Sequence, residues 1–186
     1  MKTVAEQLGQ TPHLSPLLRK LRGVGLVVPD DLRGLAVTRG CSHYQQPRDF
    51  EKTPDPRTEQ VSNLELAIAM VTAAQSFDPT LVRCAAQLLS GGDIKVEAIA
   101  RLAVQERAVP VLRHISKAGA EMDSEDGEKW RRLLALLPAT ADIPEGRLPH
   151  RTRFVSLAGV SRVNGRLQQT LRSVWLRPET YAHAQR

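Results

Sequence analysis

The chain has 186 residues, with 26 Lys and Arg against 20 Asp and Glu for a net charge of +6, 41% apolar residues, 4% aromatic residues and two cysteines. That apolar content excludes a wholly disordered chain, and the longest uncharged run, Leu66 to Phe77, is twelve residues, well short of the roughly 20 a membrane helix needs. Cys41 and Cys84 allow at most one bridge and form no Cys-x-x-Cys spacing, which speaks against a disulfide scaffold or a structural zinc site. After Met1 and Lys2 the apolar core of a secretory signal is missing, so the expectation is a cytoplasmic protein without membrane, metal or cofactor.

Charge is unevenly spread. Residues 1–60 hold nine basic and seven acidic side chains, residues 61–138 nine and ten, and residues 139–186 eight and three, the eight all being Arg. Arg outnumbers Lys 20 to 6 over the whole chain, which a GC-rich genome alone would produce. Codon bias does not explain why Glu179 is the sole acid after position 145. A one-signed segment of this kind favours polyanionic partners.

In chain order, Thr3-Val4-Ala5-Glu6 has the spacing of a capping box. Ser15-Pro16 then supplies an N-cap and a first-turn proline ahead of Leu17, Leu18 and Leu21, with Gly23 and Gly25 ending the helix. Leu26, Val27, Val28, Leu32, Leu35 and Val37 predict that part of this arm docks on the rest. Gln45 to Gln60 holds three prolines and seven charges, the composition of a linker or loop.

Residues 61–138 read as the ordered core. Asn63 to Ala74 is apolar nearly all round, which predicts a buried central helix. Asp78-Pro79 starts another helix, with Leu81, Ala85, Leu88 and Leu89 at helical spacing and Gly91-Gly92 as its stop. Asp93 begins a third, carrying Val96, Ile99, Leu102 and Ala103. Pro110 must kink or break it before Val111, Leu112, Ile115 and Ala118 form a further stripe ended by Gly119. Trp130, Leu133, Leu134 and Leu137 mark a last helix closed by Pro138. Thirteen of the twenty alanines lie in this core, and small residues let helix axes approach closely.

Beyond it, Asn164-Gly165 is the preferred pair for a type I′ hairpin turn. Turning there opposes Val163 to Arg166 and, one step at a time, Ala158 to Leu171 and Phe154 to Trp175. The competing reading is a helix with Leu167, Leu171, Val174 and Trp175 at its spacing; the hairpin is preferred because it gives one apolar and one largely polar face.

Catalytic and ligand motifs fail on inspection. Gly159-Val160-Ser161-Arg162-Val163 lacks the closing glycine of a nucleophile elbow, and Gly23-Val24-Gly25 lacks the third glycine of a dinucleotide fingerprint. Cys41-Ser42-His43 reads as a surface loop, since neighbours two apart seldom reach nucleophilic geometry. The run Glu121, Asp123, Glu125, Asp126 and Glu128 fails as a calcium loop at Asp126 and Arg132, and is accounted for by the positive end of the helix that follows. His114 falls on a helix flank.

Two short helical likenesses remain. Val96–Ala103 with Val111–Ile115 resembles a helix-turn-helix, but without the turn glycine, one residue short, and with Pro110 inside the second helix. Asp78–Leu89 is similar to the second helix of a HEAT repeat and Ala108–Leu112 to the start of its first, with no further copy at a constant period.

The expectation is therefore a mostly α protein: a compact helical bundle of about five to seven helices with a C-terminal β-hairpin over 154–176. It divides into an arm (1–44), a linker (45–60), a helical core (61–138) and an Arg-rich segment (139–186). The expected role is a non-enzymatic binding module contacting nucleic acid, DNA or RNA, or a nucleoprotein, through Arg147, Arg151, Arg153, Arg162, Arg166 and Arg172. Guanidinium forks suit phosphate oxygens, and these contacts would position phosphates rather than read sequence. Phe154 and Trp175 lie among them but are turned inward by the hairpin register. The alternatives are a helical protein–protein adaptor with HEAT-like α-hairpins, and an enzyme whose site assembles from distant residues.

Overall fold

The structure, a computed structural model, describes residues 15–44, 56–72, 75, 77–91, 94–141, 143–163 and 166–179, with backbone alone at 42 and over 157–163 and 166–172. The Thr3–Glu6 capping box lies outside the described residues. Seven α-helices and one two-stranded antiparallel hairpin are present among them, the mostly α architecture expected. None of these helices is long and apolar enough to cross a membrane.

Helix α1 (Pro16–Gly23) starts where Ser15 Oγ accepts from Leu18 N at 3.2 Å, and it buries Leu17 and Leu21. Helix α2 (Pro29–Thr38) buries Leu32, Leu35, Ala36 and Val37. Both belong to the same apolar cluster as the central helices, and Val27 and Val28 are left exposed. The last five residues of the linker form a 3-10 turn, Pro56–Gln60, with Thr58 buried; residues 45–55 lie outside the description.

Helix α3 (Asn63–Met70) is the centre of the bundle: Leu66, Ala67, Ile68, Ala69 and Met70 are all buried. Its cap is Ser62 rather than Asn63, in a reciprocal capping box with Glu65, and it ends earlier than its apolar run, at Val71. Helix α4 (Pro79–Ser90) is capped as expected, Asp78 Oδ1 accepting from Thr80 N at 2.7 Å and Leu81 N at 3.0 Å. Helix α5 (Val96–Gln105) has Lys95 at its N-cap position, with no side-chain cap bond; Asp93, where the sequence reading began this helix, lies outside the described residues.

The break expected ahead of the Val111 stripe is present, but it lies at residues 106–108 and Pro110 itself kinks no helix. The chain turns at Glu106–Ala108, with Arg107 at φ 56°, and Pro110 occupies the first turn of α6 (Val109–Met122), where a missing N–H has no intrahelical partner to lose. Seven of the fourteen α6 residues are buried, and Lys117 and Glu121 are its exposed positions. It is a core helix, unlike a recognition helix free to enter a groove. Gly119 does not end it. A Cβ there would lie 2.4 Å from Cγ of Trp130 on α7 (Gly127–Leu136), so the glycine is the notch in which the indole sits.

Strands β1 (Val155–Val163) and β2 (Arg166–Trp175) form the hairpin. Near the turn the register is the expected one, Val163 opposite Arg166 and Val160 opposite Gln169. Between Ala158 and Val160 it shifts, pairing Ala158 with Arg172, Leu157 with Ser173 and Val155 with Trp175. β1 advances two residues there while β2 advances three, a bulge opposite Gly159, the residue type such breaks favour. Ala158–Leu171 and Phe154–Trp175 are thus not cross-strand pairs. Phe154 precedes the strand in a 3-10 turn (Arg151–Phe154) and stacks on Trp175 at 5.5 Å between ring centroids. Trp175 in turn meets Trp130 at 5.3 Å, which roots the hairpin in the helical core.

Candidate functional site

The Arg-rich segment is held to the bundle residue by residue before it becomes the hairpin. Arg147 N donates to Pro144 O at 3.2 Å, closing a turn with Gly146 at φ 81°, a value an L side chain rarely adopts. Pro149 is buried, and its carbonyl accepts from His114 Nε2 of α6 at 2.8 Å. A carbonyl cannot donate, so His114 carries its proton on that nitrogen. His150 caps the 3-10 turn: its Nδ1 accepts from Thr152 N and lies 2.9 Å from Thr152 Oγ1. Phe154 then enters the core against His114, with 6.0 Å between their ring centroids.

With Leu148, Pro149 and Phe154 drawn inward, Arg147, His150, Arg151 and Arg153 are left exposed. The Arg147 guanidinium lies 5.9 Å from the centroid of the Phe77 ring, a cation–π contact that leaves its donors free for an anion. Arg153 has no carboxylate within ion-pair reach among the described residues. Arg151 pairs with Glu121 of α6, both more than half exposed. Such a pair is worth about 0–1 kcal/mol, so a phosphate can exchange for it. Arg162, Arg166 and Arg172 stand opposite Leu167, Val163 and Ala158 on the strands; their side chains lie outside the described residues. Phe154 and Trp175 are buried and offer no face for base stacking.

Arg177, the next arginine along, serves the fold instead. Its Nη2 meets Asp123 Oδ1 at 2.8 Å, its Nε meets Glu125 Oε2 at 3.1 Å and its Nη1 meets Asp126 Oδ2 at 2.7 Å. Nη1 also donates to Ser90 O at 3.1 Å. The acidic run thus does more than complement the start of α7. Asp123 accepts from Glu125 N, Asp126 N and Trp130 Nε1 and presents its remaining capacity to Arg177. Around it the chain lies as a strap: Gln87 Nε2 donates to Arg177 O at 2.7 Å and to Gly40 O at 3.2 Å, Ser90 Oγ donates to Leu176 O at 3.1 Å, and Glu179 N donates to Gly40 O at 2.9 Å.

Cys41 is not on a surface loop. It is fully buried and its thiol faces α4, 3.8 Å from Cys84 O, away from any partnership with the exposed His43. A hydrogen bond with the Cys41 thiol, followed by burial, pushes the Cys84 thiol far above its usual range, so the Cys84 sulfur is not prepared for nucleophilic chemistry. Gly159–Val163 lies within β1 rather than in a strand-to-helix turn. Among the described residues no group of three or more His, Cys, Asp or Glu side chains is placed to hold a metal ion.

Beside the pinned segment, between α6 and residues 143–150, is a cavity of about 490 Å³ bordered by His114, Lys117, Glu145 and His150. Neither this cavity nor the Arg177 latch was visible in the sequence, although the coincidence of five acids at 121–128 with an Arg-rich segment downstream was a signal for the second. Comparison with protein-family models, with curated proteins and with solved structures finds no match for this chain.

Proposed function

We propose that the chain is a non-enzymatic binding module that contacts the phosphates of nucleic acid through Arg147, Arg151, Arg153, Arg162, Arg166 and Arg172. The observation that carries this reading is the exposed trio Arg147, Arg151 and Arg153 on one pinned stretch, two of them without a carboxylate partner among the described residues. The stretch from Gly146 to Pro178 contains seven Arg and no acid, so nothing along it opposes an approaching polyanion. The inward Phe154 and Trp175 remove a stacking contribution and favour backbone contacts that tolerate many sequences. Arg177 is excluded from the binding set, because the acidic turn holds it.

Fluorescence anisotropy with labelled single-stranded DNA and RNA of about 20 nucleotides tests this. The double variant Arg147→Ala with Arg153→Ala should weaken binding by tenfold or more. Arg131→Ala with Arg132→Ala, on α7 and paired with Glu128 and Glu97, should leave it unchanged. Equal losses in both double variants, or no binding by the wild type at about 50 mM salt, would overturn the reading.

A further inference from the structure

The strap that follows β2 is held differently from the core packing beside it. Trp175 is buried in the apolar cluster, whereas Leu176, Arg177 and Pro178 are half-buried, Glu179 is exposed, and none of these four belongs to that cluster. What holds them is a set of polar contacts of the kind one protein makes to an extended segment of another. We infer that the groove between Gly40, the C-terminal end of α4 and the acidic turn 123–126 is a recognition site for an extended, arginine-containing segment of a partner protein, occupied in this structure by the chain's own residues 176–179. This site is separate from the proposed phosphate contacts, which leave Arg177 out of the binding set.

The groove holds backbone and side chain together. Ser90 Oγ donates to Leu176 O at 3.1 Å and Gln87 Nε2 to Arg177 O at 2.7 Å, while Gly40 O accepts from Glu179 N at 2.9 Å. These three bonds involve only the main chain of the strap. Specificity comes from the guanidinium, whose Nε, Nη1 and Nη2 each meet a different carboxylate and whose planar fork an ammonium does not reproduce. Two glycines keep the floor clear. A Cβ at Gly91 would lie 2.7 Å from Cγ of Pro178, and one at Gly40 would lie 2.6 Å from Glu179 O.

Two observations mark the occupant as exchangeable. It adds no side chain to the apolar cluster, so lifting it off opens no core. It also leaves the groove incompletely satisfied: Gln87 is 2% exposed, and its Oε1, on the same carbon as the Nε2 that bonds the strap, has no partner. Both hydrogens of that Nε2 are committed to carbonyls, Arg177 O and Gly40 O, so turning the amide over does not help. A segment that brings a donor to this oxygen gains a bond that the strap lacks.

Because a tethered strap competes at an effective concentration of about millimolar or above, the test uses the full chain with the strap weakened. Fluorescence anisotropy of labelled Leu-Arg-Pro-Glu, blocked at both ends, should show saturable binding to the Arg177→Ala variant and binding at least tenfold weaker to the wild type. The same peptide with alanine in place of arginine should not bind. Adding Glu125→Gln and Asp126→Asn to Arg177→Ala should weaken the peptide tenfold or more. Adding Glu128→Gln instead, an acid of α7 paired with Arg131, should change nothing. Adding Gly91→Ala should exclude the proline-containing peptide but still admit Leu-Arg-Ala-Glu, which lacks the atoms in the way. Circular dichroism checks the fold of each variant. If Arg177→Ala does not fold, Glu179→Pro takes its place: it removes the N–H bonded to Gly40 O and should likewise bind the peptide more tightly than the wild type. No binding to a folded variant at millimolar peptide, equal binding of the alanine peptide, or indifference to the two acid substitutions overturns the site. Strand binding that persists in those cases leaves the proposed function standing, so the two fail separately.

Discussion

Replacing Arg177 by alanine should destabilise the protein by about 2–3 kcal/mol. The Asp123 side chain is 1% exposed, and removing one partner of a buried ion pair costs about 3–5 kcal/mol when the remaining charge is abandoned. Asp123 is not abandoned, because two backbone N–H groups and the Trp130 indole still donate to it; this lowers its share below that range, to about 2 kcal/mol. Glu125 and Asp126 are 69% and 42% exposed, and their shares resemble surface pairs at about 0–1 kcal/mol each. At about 2–4 °C per kcal/mol for a chain of this size, thermal unfolding followed by circular dichroism should show a drop of about 5–10 °C. Arg177→Lys should recover part of it, since an ammonium keeps the charge but cannot form three directed contacts. A double-mutant cycle with Asp123→Ala should return a coupling of about 1–3 kcal/mol. If Arg177→Ala unfolds within about 0.5 kcal/mol of the wild type, the strap is not held by this cluster and the assignment of Arg177 to the fold is wrong.

Gly119→Ala drives a methyl group to 2.4 Å from Trp130 Cγ; overpacking of about 1–3 kcal/mol exceeds the gain in helix propensity of about 1 kcal/mol, so urea unfolding should show a net loss, whereas Gly23→Ala, with open space around it, should be neutral or stabilising. Cys41 and Cys84 are fully buried, so a thiol reagent should label neither in the native protein and both after denaturation; rapid native labelling would contradict the packing of α2 on α4. Burial raises the Glu65 carboxyl, but bonds from Lys20 and Ser62 outweigh it and hold the group below its usual range. Its contribution is therefore present above the unfolded value, near 4.5, and is lost as pH falls through the lower folded value. Lys20→Ala should accordingly flatten the acid limb of the stability curve below about pH 5, and an unchanged limb would remove the pair from the account.

What the sequence revealed was local. Ser15-Pro16 and Asp78-Pro79 announce helices because a cap needs only side-chain and backbone groups two or three residues apart. The apolar run at 64–71 announces burial because no face of it suits water. Gly119 misled because its reason is a tryptophan eleven positions later that needs a notch, and Pro110 because a proline inside a helix and a proline opening one differ only in where the preceding chain turns. The hairpin was legible from Asn164-Gly165 outward until the bulge opposite Gly159, where an extra β2 residue resets the pairing. The distinction between Arg153, exposed, and Arg177, latched to Asp123, rests on contacts spanning more than fifty residues, which no spacing rule encodes.

The central claim is that several arginines from one segment neutralise phosphates together, and the salt dependence of strand affinity tests it most directly. Six contacts predict a slope of log K against log salt of about −4 on single strands, from roughly −0.7 per phosphate neutralised, and the Arg147→Ala with Arg153→Ala variant should reduce its magnitude by about 1.4. A wild-type slope shallower than about −1, or one identical in the double variant, contradicts the account.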